Sequence, residues 1–150
     1  MQSNFFQYVL AYLLWLITSA VAVLGATVLR STYQILLAFD FSQRYTARAV
    51  DDFSVLAIGI GLIVLVIFVE HYYRTAVQKG RLWRRFCWLT FVELGLLALF
   101  HIVQFGVALR YQKFDTTTLL IGASELVLAL IAGWIYRFLQ QRQVRRAVIG

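Results

Sequence analysis

The stretch Phe86–Leu109, FCWLTFVELGLLALFHIVQFGVAL, limits the fold more than any other part of the chain. It contains no proline, lysine, arginine or aspartate, and it is longer than the roughly 20 apolar residues that a helix needs to cross a bilayer. Backbone groups in hydrocarbon must satisfy one another, so a stretch of this kind is a helix. Three more runs match it, at about Phe5–Leu29, Phe53–Val77 and Thr116–Leu139. The second is apolar to about Val69 and then becomes wetter through Glu70, His71, Tyr72, Tyr73 and Arg74. With 61% of its 150 residues hydrophobic and 14% charged, the chain is far more apolar than a soluble domain. The expected fold is an all-α integral membrane protein, a single domain over residues 1–150 with spans at 5–29, 53–77, 86–109 and 116–139. The total absence of proline argues for unbroken helices.

The connection Arg30–Asp52 is the one long one. Ser31 and Gln34 fit a capping box, and Ile35, Leu36, Leu37, Phe39 and Phe41 follow as an apolar patch, so a short interfacial helix is expected at 31–41. The remaining SQRYTARAVDD reads as solvated, with Asp51 or Asp52 capping the second span. Asp115 is placed to cap the fourth span after an outer turn over Tyr111–Asp115.

Charge sets the topology. Arg74, Lys79, Arg81, Arg84 and Arg85 crowd the second connection, while Arg137, Arg142, Arg145 and Arg146 mark the C-terminal end; Arg30, Arg44, Arg48, Arg110 and Lys113 fall on the opposite side. The positive-inside rule then puts both termini in the cytoplasm of an inner, cytoplasmic-type membrane. Trp83, Trp88, Trp134 and Tyr136 gather at the same interface as an aromatic belt. The net charge of +7 lies at span ends, which assigns Lys79, Arg81, Arg84, Arg85, Arg142, Arg145 and Arg146 to anionic lipid rather than nucleic acid.

Four polar side chains cannot easily reach water: Glu93, His101 and Gln104 in the third span and Glu125 in the fourth. At about 100° per residue, Gln104 lies about 20° from Glu93 and His101 about 80° from it, so the three are expected to cluster on one side of the helix. His101 and Glu125 are each roughly 10–12 Å from the outer ends of neighbouring antiparallel spans, so a hydrogen bond between them is expected. Two roles fit these groups. They are neutral interhelical hydrogen-bonding partners, or Glu93, His101 and Glu125 form a file for protons or ions. His101 is also a candidate axial ligand for a haem or a chlorophyll-type magnesium, and a quinone near His101 and Gln104 is a further reading. The sequence requires no cofactor and contains no other metal-ligand pattern.

The single cysteine, Cys87, excludes an internal disulfide and a CxxC pair. No GxxxxGKS/T, HExxH, GxSxG or GxGxxG occurs, so no enzymatic activity is expected. Small residues form seams that let helices approach: Ala22 and Ala26 with Thr18; Ala57 and Gly61; Ala129 and Gly133. Gly59 points away from Ala57 and Gly61 on the second span, and Gly122 is read as a second small face on the fourth. A second small face calls for a second partner. The expected function is therefore an accessory or structural subunit that packs against other membrane subunits or copies of itself.

Overall fold

The computed structural model describes the backbone of residues 2–40, 44–110 and 116–149, and the side chains of residues 5–37, 48–110 and 116–141. Four helices account for all of it but the turn at 79–81: α1 (Gln2–Asp40), α2 (Arg44–Gln78), α3 (Leu82–Arg110) and α4 (Thr116–Ile149). Each contains a segment long and apolar enough to cross a membrane. The protein is a four-helix integral membrane protein. The outer turn over Tyr111–Asp115, the Asp115 cap, Phe41 and the side chains of Arg142, Arg145 and Arg146 lie outside the described residues.

Two boundaries differ from the sequence reading. Residues 31–40 do not form a separate interfacial helix but continue α1. Nothing there breaks a helix, because no proline or glycine follows Gly25 before Asp40. Ser31 does not cap a new helix either. Its Oγ and Thr32 Oγ1 both donate back to the Val28 carbonyl, at 2.8 Å and 2.8 Å, a bond available only inside an existing helix. In the same way α2 begins at Arg44, so Asp51 and Asp52 lie within it and cannot be its cap. Asp51 instead takes hydrogen bonds from Gln34 Nε2 at 3.2 Å and from Arg30 at 3.5 Å, tying α2 to α1.

Only the α2–α3 connection is described in full. Gly80 adopts φ +59, the left-handed conformation that glycine reaches without steric cost. Its N–H bonds the Val77 carbonyl at 3.1 Å, and the Arg81 N–H bonds the Ala76 carbonyl at 3.0 Å. That bonding pair is the Schellman motif, which satisfies the last carbonyls of α2. Arg85 fastens the turn by donating to the Tyr72 carbonyl and lying over the Tyr72 ring at 4.3 Å. Its guanidinium is therefore committed to the turn and not free for lipid.

The helices do not close into a bundle. α1 packs against α2 and α3, and α3 packs against α4. α2 meets α3 only slightly, and α4 touches neither α1 nor α2 among the described residues. The main buried cluster is at one end, where Ala11 and Leu14 of α1 meet Val69, Tyr73, Ala76 and Val77 of α2 and Leu82 of α3. Tyr73, expected in a wetter turn, is 1% exposed. Thr18 donates to the Leu14 carbonyl at 2.9 Å, so the 2.9 Å contact between Thr18 Oγ1 and Tyr73 is donated by the tyrosine. Glu70 and Arg74 form the expected exposed pair at 3.8 Å, of the kind that adds little to stability.

Candidate functional site

Helix α3 carries three of the four intramembrane polar groups and turns them toward different neighbours. Its α4 face is tightly packed. Trp88 stacks near Tyr136 with centroids 5.3 Å apart. A Cβ on Gly133 would lie 3.0 Å from Phe91 Cδ2, and one on Gly122 would lie 2.9 Å from His101 Cβ. Gly122, Ala129 and Gly133 thus form one seam. Seven and eleven residues at about 100° each bring Gly122 within about 20° of the other two, so the second small face expected on the fourth helix does not exist.

At the top of this seam His101 Nδ1 lies 2.7 Å from Glu125 Oε2 and 3.1 Å from the Leu97 carbonyl. A carbonyl can only accept, so Nδ1 carries the hydrogen and donates to both oxygens. The pair is the contact expected from the rise per residue. Its side chains are 11% and 16% exposed, so the ion or hydrogen-bond pair is shielded and mutually satisfied. His101 Nε2 remains for an axial bond. However, the cavity beside it, lined by Phe105, Leu119, Gly122 and Leu126 among others, is about 210 Å³, room for a small ring and not for a haem- or chlorophyll-sized macrocycle. Among the described residues no group of three or more His, Cys, Asp or Glu side chains is placed to hold a metal.

Gln104 faces α1. Its Nε2 donates to Thr32 Oγ1 at 2.7 Å and Ser31 Oγ at 3.0 Å. Those hydroxyls pass their own hydrogens to the Val28 carbonyl, so the group of three side chains is satisfied. The sequence reading missed this partner because residues 31 and 32 were assigned to an interfacial segment. Ser and Thr one turn apart from an intramembrane Gln on a parallel helix were the available signal.

Glu93 lies on nearly the same side of α3 as Gln104 but opposite a space. It lines a cavity of about 280 Å³ among α1, α2 and α3, with Ala22, Ala26, Gly61, Leu65 and Leu96 among the other walls. Among the described residues Glu93 is its only ionisable lining residue, and Glu93 Oε1 is buried with no hydrogen-bond partner there. The Ala22–Ala26 seam therefore borders an opening and not a close helix contact, with Gly25 beside it meeting Leu97 at an ordinary 3.9 Å from an added Cβ. Glu93, His101 and Glu125 do not form one hydrogen-bonded file. His101 turns to α4 while Glu93 stands alone, about 12 Å away along the axis.

The other sequence-assigned positions are more scattered. Ala57 is exposed, and a Cβ on Gly59 or Gly61 would meet nothing within 4 Å. Lys79 and Arg81 are exposed beside the α2–α3 turn, with Trp83 also largely exposed there. Comparison of the chain with protein-family models, with curated proteins and with solved structures finds no match in any of the three.

Proposed function

We propose that this chain is a non-enzymatic membrane subunit that works by association, either as an accessory component of a larger membrane complex or as a protomer of a homo-oligomer. The observation that carries this reading is the open arrangement: among the described residues α4 packs on α3 alone, Ala57 of α2 is exposed, and a Cβ on Gly59 would meet nothing within 4 Å. A helix face that meets only lipid is normally smooth with Leu, Ile, Val and Phe, whereas small residues allow another backbone to come close. Both termini are assigned to the cytoplasm of an inner-type membrane by the nine basic residues at that side against five at the other.

The test is mass in mild detergent. The protein is expected to run well above its 17.3 kDa monomer mass after correction for bound detergent, and Gly59→Leu is expected to weaken this association more than Leu62→Ala does. A stable monomer in native-like lipid, with Gly59→Leu silent, overturns the reading. Reporter fusions after Gly80 and after Gly150 are expected to be cytoplasmic, and one after Arg48 is not.

A further inference from the structure

We propose that the cavity among α1, α2 and α3 is a binding site for a lipophilic ammonium ion, a small apolar amine whose cationic head pairs with Glu93. Three features together point to this chemistry.

The first is the unmatched carboxyl. Glu93 Oε1 is buried and accepts no hydrogen bond, whereas His101 Nδ1 and the Gln104 amide nitrogen on the same helix both have partners. An unsatisfied carboxyl oxygen in hydrocarbon needs a donor. No lysine, arginine or histidine lines the cavity, so the donor has to arrive with the ligand. An ammonium N–H supplies the hydrogen bond and its charge matches a carboxylate at that position, whereas a neutral donor adds the hydrogen bond without the ionic attraction.

The second is the space. Apart from Glu93 the lining is Val, Ala, Gly, Leu, Ile and Phe. A cavity of about 150 Å³ with such walls takes benzene, so about 280 Å³ accommodates roughly two fused rings.

The third is access. Leu65 of α2 and Leu96 of α3 line the cavity and are themselves 40% and 49% exposed. The two helices that carry them meet only slightly. The mouth therefore opens sideways into the bilayer, and a ligand that partitions into lipid reaches Glu93 without crossing water.

The full-length protein in nanodiscs of zwitterionic lipid, titrated with radiolabelled 1-naphthylmethylamine, tests the site. Saturable binding at one ligand per chain is expected. Glu93→Gln, which keeps the shape and removes the charge, is expected to weaken it roughly ten- to a hundredfold, the loss of one charge-assisted hydrogen bond. Gly61→Leu, entering space where an added Cβ meets nothing within 4 Å, is expected to fill the cavity and block binding. Glu125→Gln, on the far side of α3, is expected to stay within about twofold of the parent. The proposal is overturned if Glu93→Gln binds as well as the parent, if the neutral 1-naphthylmethanol competes equally, or if the folded protein shows no saturable binding. Any of the three would make the cavity a slot for lipid chains. Subunit mass is read separately, so these outcomes leave the association reading untouched.

Discussion

The two faces of α3 solve the same problem in opposite ways. Toward α4, glycine and alanine bring the backbones together, and the carboxyl of Glu125 is matched by an imidazole at 2.7 Å. Toward α1 and α2, alanine and glycine border an opening of about 280 Å³, and the carboxyl of Glu93 is left with an unpartnered oxygen. The same residue types thus produce a closed contact on one side and a vacancy on the other. Small side chains permit close approach, but a bulky neighbour has to enter the space they leave. Phe91 and His101 do so opposite Gly133 and Gly122, whereas nothing does so opposite Gly61.

Enlarging the glycines tests this contrast, and the outcomes are expected to divide sharply. Gly122→Leu and Gly133→Leu are expected to force α3 and α4 apart, costing about 3 kcal/mol or more and losing most folded protein, because added atoms begin within 2.9 Å and 3.0 Å of existing ones. Gly61→Leu is expected to leave thermal unfolding in detergent within about 0.5 kcal/mol of the parent. Equal damage at all three positions would mean that the cavity is closed in the membrane.

A smaller effect, but one of opposite sign on the two faces, concerns the carboxyls. Glu125→Leu leaves His101 Nδ1–H with only the longer bond to the Leu97 carbonyl, 3.1 Å, and is expected to cost about 1 kcal/mol. Glu93→Leu removes an oxygen that has no partner and fills apolar space, and is expected to stabilise by about 1 kcal/mol. Thermal unfolding of both variants side by side checks the sign, and a loss at both positions would show that Glu93 has a partner after all. A double-mutant cycle over His101→Ala and Glu125→Ala is expected to give a coupling of about 0.5–1.5 kcal/mol. The smallest effect is expected at Gln104. Gln104→Leu releases Ser31 and Thr32, but both keep their bonds to the Val28 carbonyl, so the expected cost is about 0.5 kcal/mol.

The closed face was largely legible from the sequence and the open one was not. Length and apolarity determine a membrane helix almost by themselves, so the four spans were readable. A fixed rise per residue then put His101 and Glu125 at one level. Angular spacing grouped Glu93, His101 and Gln104 on one side of α3, but the offset of about 80° is enough to turn His101 to α4 while Gln104 faces α1 and Glu93 the cavity. What spacing does not carry is the distance between helices. Ala22 and Ala26 read as a packing seam because such residues usually are one, yet whether a neighbour fills the gap depends on helix tilt. The α1 boundary failed for a local reason: Ser31 with Gln34 looks like a capping box, but in a helix already running Ser31 and Thr32 bond backward to Val28. Gly122 failed on angle alone, since counting seven and eleven residues puts it on the seam it was assigned away from.

The turn at Gly80 has a mechanical consequence. α2 and α3 are joined by Lys79, Gly80 and Arg81 alone, yet they separate toward the mouth framed by Leu65 and Leu96, so they act as two arms on one pivot. At about 1.5 Å per residue the mouth stands roughly 22 Å from that pivot, and a rotation of about 5° there displaces it by about 2 Å. Arg85, fastened to the carbonyl and ring of Tyr72, sits at the short end of this lever, where a small change in one contact is multiplied most.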